Sequence, residues 1–435
     1  MSYTDLPAEI RALDAALDAR QPRIKRRDKR YRNNQKLRFA ASEVTGDLGQ
    51  FSLPLCRLAV DAVAERMRVA SISAEVHRGI DASDVASEIW HRSQFDQLLQ
   101  PLLVDALALG SAYTIVWPDA TGRVTITPES ARTMVTRHDP VSGAVTSALK
   151  RWEVSGPHGE RRAVHRFHYT ADSVEHWIDT RLVETQINVT GRVPVVPLIN
   201  SQRLGDLDGA SVIDDLGDLV DAQAKILADM LVASEDVARP RRWATGVELE
   251  DSVTPGDPLD EFSADMADAA PRDVSAADAD GDGDAVSPFA DGNRMFTVES
   301  PDAKFGQLPG ADLKGYETAV DLLTRQIMAV SALPAHMIGI TGSNVSADAF
   351  RAAEASLTAR AESRMNVLGL SLERALALGV AMQAAADPAD VSVALSWESA
   401  ATRSDAQAAD AAAKLFSLGI IDRAEAREMM GMPGE

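Results

Sequence analysis

Three stretches keep a helical apolar period far longer than an ordinary domain helix, and any fold for this chain must bury them. Between Val212 and Val237, Ile213, Leu216, Val220, Gln223, Leu227 and Leu231 recur at three- and four-residue steps over about seven turns. Leu313, Tyr316, Val320, Leu323, Ile327 and Val330 repeat the pattern in a second helix from about Ala311. Proline marks where each must stop, at Pro240 and Pro334. The third and longest runs from Ser346 to about Ala386, with Phe350, Ala353, Leu357, Ala361, Met365, Leu368 and Leu372 on its stripe. Ser346 is placed as its N-cap, and Asp348 in the first turn suits the helix dipole.

The N-terminal third also reads as helices, at residues 52–69 and again at 84–109. From Ala112 the period changes to two. "AYTIVWPDATGRVTITP" alternates about an Ala-Thr-Gly turn and predicts a β-hairpin. "TMVTRHDPVSGAVTSALKRWEV" predicts another, residues 162–189 two or three more strands, and "VVPLINS" a short apolar segment. "VSVALSW" and two short helices close the chain. The expected class is therefore α+β, mainly α.

Net charge is −21 and unevenly spread. Residues 20–38, "RQPRIKRRDKRYRNNQKLR", hold ten Lys/Arg against one Asp, whereas residues 248–302 hold sixteen Asp/Glu against Arg272 and Arg294. The basic run reads as a solvated or subunit-contacting helix face that offsets the acidic bulk, with a nucleic-acid arm as the alternative. The acidic total opposes tight, nonspecific DNA binding. Within the acidic region the middle is rich in Ala, Gly and Pro and predicts a mobile loop between two strand-like flanks, "RRWATGVEL" and "NRMFTVES".

Motifs for chemistry fail one by one. "HMIGITGSNVSADAF" (336–350) resembles a phosphate cradle, but no Gly-Lys pair follows it or occurs anywhere in the chain. Asp278, Asp280, Asp282 and Gly283 match the start of an EF-hand loop, yet Phe289 stands where the bidentate Glu belongs. His165 and His168 would point to opposite faces of a strand. Cys56 is the only cysteine, so neither an intrachain disulfide nor a cysteine zinc site is expected. No run of about 18 apolar residues suggests a membrane span, and the first 21 residues are unlike a secretory signal. The reading is therefore no enzyme, no cofactor, no metal and no membrane partner, in the cytoplasm or a particle assembled there.

The order of elements and five long stretches, 55–72, 105–119, 193–246, 308–362 and 395–431, resemble portal proteins of tailed bacteriophages, of the siphophage type found in actinobacterial phages. That resemblance implies a homo-oligomeric ring, usually of about twelve copies, at one capsid vertex of the virion and assembled in the host cytoplasm. Double-stranded DNA would pass through it, driven in by the large terminase and later ejected. The major capsid protein, scaffolding protein and head–tail adaptor would be the other partners.

The implied division is a wing over 1–207, made of a helical base plus the β-rich block, and stem helices over 208–238 and 311–333. A clip would span 239–310, with its acidic insertion at about 252–292. A tunnel loop would span 334–346, a long wing helix 347–390, and a C-terminal strand and crown helices 391–435. In the tunnel loop, His336, Met337, Gly339, Thr341, Gly342, Ser343 and Asn344 would line the DNA channel. In the clip, Arg241, Arg242, Trp243, Met295 and Phe296 would dock partners. The competing readings are a metal-dependent hydrolase built on Asp278, Asp280 and Asp282, and a DNA-binding protein that uses the basic arm.

Overall fold

A computed structural model describes residues 5–37, 51–77, 79–154, 163–238, 242–245, 302, 304–307, 313–339, 347–401, 405–423 and 426–427. The chain divides into two units, Met1–Ala228 with Glu317–Glu435, and Asp229–Tyr316.

In the first unit, α1 (Ala8–Tyr31) precedes α2 (Leu55–Ala64), β1 (Val69–Val76), β2 (Ile80–Asp81), α3 (Ser83–Arg92) and α4 (Phe95–Leu109). The helix expected over 52–69 stops at Ala64, because Val69–Val76 is taken by a sheet. There Ile72 pairs with Leu395 of β13 (Val391–Trp397), in the order β13-β1-β2. A β-branched stretch that could extend a helix instead finds a distant partner, and tertiary pairing overrides local periodicity. The single helical run expected over 84–109 is two helices. Gln94 adopts a left-handed φ of 57° between them. The corner is held by Trp90 Nε1 donating to Asp96 at 3.0 Å and by the Trp90–Phe95 ring contact at 4.8 Å.

The β block follows the predicted hairpins. β3 (Ser111–Pro118) and β4 (Val124–Ser130) pair with β10 (Val195–Ile199) in the order β10-β3-β4. β5 (Met134–His138), β6 (Val145–Val154), β7 (Ala163–Tyr169), β8 (Ser173–Ile178) and β9 (Arg181–Ile187) form an antiparallel sheet in sequence order. One face of this sheet is covered by α1, whose Ile10, Leu13 and Leu17 pack on Val135, Leu149 and Trp177.

Three further helices follow: α5 (Gly217–Ala238), α6 (Lys314–Ser331) and α7 (Ala347–Ala384), with α8 (Asp405–Ser417) near the end. α5 begins at Gly217 rather than Val212, because residues 211–216 form hydrogen-bonded turns that aim Asp214 toward α1. Along α7, Leu357, Ala361, Met365, Leu368 and Leu372 are buried in the main core as expected. Ala353 is exposed, and the adjacent Glu354 is buried instead. Arg351–Ala384 has the length and hydropathy of a membrane span, but this stripe packs it into the core.

The basic run departs most from expectation. Arg20, Arg27 and Arg30 are buried, while Lys25, Arg26 and Lys29 face solvent. Arg23 meets Asp208 at 2.8 Å, Arg27 pairs with Asp214, and Arg30 reaches Asp218 at 2.6 Å and Asp221 at 2.7 Å. Arg27 also donates to the Leu109 carbonyl, beside Gly110 and Gly209. Those two glycines have φ of 93° and 74°, and their backbones lie so close that a Cβ on Gly209 would overlap the Gly110 carbonyl. Steps of three and four place Arg20, Arg23, Arg27 and Arg30 on one helical face, so the run forms an intrachain ladder to residues 208–221. Neither a wholly solvated face nor a free nucleic-acid arm describes it.

This ladder has a pH signature. Burial alone would raise the Asp208 and Asp214 carboxyls, but hydrogen bonds and charge from Arg23 and Arg27 outweigh it and hold both below the usual value. A carboxyl held low contributes stability in full above its unfolded pKa, near about 4, and loses it as pH falls through the lower folded value. Hydrogen exchange should therefore show residues 20–31 losing protection below about pH 4, before α4 does. Equal protection of both helices down to about pH 2 would contradict this.

In the second unit, β11 (Arg242–Thr245) and β12 (Lys304–Gln307) pair antiparallel, with Trp243 opposite Gly306. The distal part of α5 exposes Leu231, Val232 and Val237.

Candidate functional site

Two places merit attention: the turn after α6, where the predicted tunnel loop begins, and the β11–β12 ladder.

α6 ends where the Ser331 hydroxyl donates to the Ile327 carbonyl at 2.6 Å and Ala332 turns left-handed at φ 59°. Pro334 then starts a 3-10 turn, Ala335–Ile338, and Gly339 closes it at φ 81°. Space around Gly339 is open, so its role there is conformational. Met337 and Ile338 pack against the main core. His336 Nε2 lies 3.4 Å from Glu354 Oε1, and Arg66 Nη2 donates to the same oxygen at 3.1 Å.

Glu354 is only 4% exposed, so the turn, the end of α2 and the first turns of α7 converge on one buried carboxylate. Burying a carboxylate is costly unless it is paired and hydrogen-bonded, which fixes this arrangement tightly. Thr341, Gly342, Ser343 and Asn344 lie outside the described residues. Neither Glu354 nor Arg66 was among the predicted site residues. The signal for Glu354 was present: an acid three positions before Leu357 and seven before Ala361, on an apolar stripe. Arg66 carried no such signal, because it lies 288 residues away in sequence.

In the second unit, Trp243 is 43% exposed, with its indole against Gly306. A Cβ on Gly306 would come within 2.5 Å of the ring, so glycine is what lets the indole lie flat on the facing strand. Arg242 pairs through its backbone with Gln307. Arg241, Met295 and Phe296, like the acidic Asp278–Asp284 motif, lie outside the described residues.

The histidines split as strand parity requires. His165 Nδ1 lies 3.2 Å from His176 Nε2 within a stack with Trp152 and Phe167. His168 faces the other way, toward Glu9 and Glu175. Burial and the neighbouring His165 push the His176 pKa down. Among the described residues, no group of three or more His, Cys, Asp or Glu could hold a metal ion. Burial pushes the Cys56 thiol up to about 12, which makes it an inert packing residue.

The portal protein of Mycobacterium phage D29 is 29% identical over 398 residues, 86% of this chain and 75% of the relative. The portal protein of Mycobacterium phage L5 is 29% identical over 404 residues, with the same shares covered. Two solved chains have similar backbones at TM-score 0.45. One is from the virion of a native gene transfer agent particle, at 15% identity, covering 88% of this chain and 89% of that one. The other is from the neck of the empty particle computed with C6 symmetry, at 14% identity, covering 91% and 95%. The family model described as "Phage portal protein, SPP1 Gp6-like" matches residues 10–432, so the chain belongs to the phage portal protein family.

Proposed function

We propose that this chain is the subunit of a closed portal ring, of about twelve copies, at one vertex of a phage capsid. The ring is the conduit for double-stranded DNA, filled by the large terminase and emptied at ejection, and it docks the head–tail adaptor after nucleating assembly with capsid and scaffolding proteins. It acts without catalysis of its own. The family match over residues 10–432 carries this reading.

The subdivision follows. Residues 1–207, 347–390 and 391–435 make wing and crown, 208–238 and 311–333 the stem, 239–310 the clip, and 334–346 the tunnel loop. Exposed Leu322 and Val330 on α6 support packing against a neighbouring copy, since such side chains at regular helical steps gain by leaving water. The ladder of Arg20, Arg23, Arg27 and Arg30 weighs against the basic-arm reading, because its cations are already paired within the chain. Negative-stain microscopy should show rings with a central hole. Monomers under every condition, including co-expression with capsid protein, would end the proposal.

The tunnel loop yields a second test. Small neutral side chains at Thr341, Ser343 and Asn344 could meet a moving DNA backbone without holding it, and an acidic lumen would repel phosphate. Ser343→Arg or Asn344→Arg should block packaging of DNA into procapsids while ring assembly remains intact. Normal packaging by both variants would remove these residues from the channel.

A further inference from the structure

Seven arginines that are buried or half-buried pair with carboxylates: Arg20, Arg23, Arg27, Arg30, Arg66, Arg151 and Arg166. Two on α7 do not. Arg360 and Arg364 lie one turn apart on one helical face, each partly buried. Arg360 Nη2 donates to the Val330 carbonyl at 2.9 Å, at the C-terminal end of α6. Arg364 Nη1 donates to the Ser201 carbonyl at 3.4 Å, and its Nε is enclosed with no hydrogen-bond partner among the described residues.

Burial lowers the pKa of both guanidinium groups; Asp215 partly offsets this at Arg360, and the charge of Arg360 adds to it at Arg364. Backbone carbonyls satisfy single N–H groups but supply no counter-charge. Two like charges half withdrawn from water are stabilised by an anion that reaches both. In a chain of net charge −21, this sets the pair apart from the seven buried or half-buried arginines that do meet a carboxylate.

We infer that Arg360 and Arg364 form a receptor for a carboxylate side chain of a neighbouring copy, an ion pair made only between subunits. The inference rests on the ring reading of the preceding section. Charge complementarity selects the partner: a second copy brings 65 acidic residues against 44 basic ones. The planar fork of guanidinium matches a carboxylate in two parallel hydrogen bonds. A duplex backbone, by contrast, is bound by rows of exposed cations, and these two are half-buried.

The test uses full-length rings assembled from a mixture of light- and heavy-isotope copies. Arg364→Lys places an amine there, and carbodiimide treatment should couple it to an Asp or Glu peptide of the opposite isotope. In parallel, rings of the Arg360→Gln/Arg364→Gln double variant should dissociate at a protein concentration at least tenfold higher than wild type. If wild type forms no ring, the portal reading itself fails. If wild-type rings form, three results would overturn the inference. The first is coupling only within one copy, which assigns the pair an intrachain partner. The second is a double variant whose rings are as stable as wild type, with no light–heavy coupling. The third is unchanged assembly with reduced DNA packaging, which assigns the pair to phosphate.

Discussion

Asp14→Ala is expected to destabilise the first unit by about 3–5 kcal/mol. Asp14 is fully buried between α1 and the five-stranded sheet. It accepts from Arg166 Nε at 2.8 Å and from Arg151 Nη1 at 3.1 Å. Removing the carboxylate leaves Arg166, itself buried, with the Asp179 carbonyl at 2.8 Å in place of its counter-charge. Arg151 keeps Asp18, whose carboxyl that hydrogen bond holds below its usual range, so Arg166 suffers most. The loss should appear as a lower thermal midpoint and faster hydrogen exchange across residues 8–20. Replacing the pair with apolar residues of similar volume, Asp14→Leu with Arg166→Met, should recover most of it, since the desolvation of both charges is then avoided. A single variant as stable as wild type would show that the pair is not dry.

The second large effect is functional. Glu354→Ala should leave ring assembly intact and strongly reduce DNA packaging. The carboxylate holds His336 at 3.4 Å and Arg66 at 3.1 Å, and so ties the start of the proposed tunnel loop to α2 and α7. Without it, Arg66 has no counter-charge in this cluster, and a local loss of about 3 kcal/mol is expected. Exchange at residues 335–339 should then rise while α4 stays protected, which separates a released loop from general unfolding. Arg66→Met should reproduce part of the effect through the same carboxylate. Wild-type packaging and unchanged exchange in Glu354→Ala would show that the cluster does not position the loop.

Much of the architecture was legible because one period dominates each segment. The β-hairpins at 111–130 and 134–154 are set by alternation and turn residues, both local properties. The three long helices are set by apolar steps and by prolines beyond the first two. Errors fell where a distant partner outbid a local preference. Val69, the last residue of the helix expected over 52–69, opens a strand to Val76 that was not foreseen and that pairs with β13 more than 300 residues away, and Gln94 broke a continuous helical pattern where Trp90 and Phe95 meet.

Charge was the least legible quantity. Composition shows a basic run and an acidic excess, but not which cations are spent within the chain. Arg27 and Arg30 read like solvated helix charges, yet both are buried against residues 214–221. Arg360 and Arg364 look no different in sequence, yet neither has an ion-pair partner among the described residues.

The sequence by itself determined the type of most elements, the family and the want of a phosphate-binding lysine. These depend on residue order over a few turns or on long matched stretches. Only the tertiary structure decided that Glu354, His336 and Arg66 share one buried site, and that the basic helix forms a ladder rather than an arm. The physical reason is range. Periodicity and turn chemistry act between near neighbours, whereas the stability of a buried charge depends on whichever group the fold brings within about 4 Å of it.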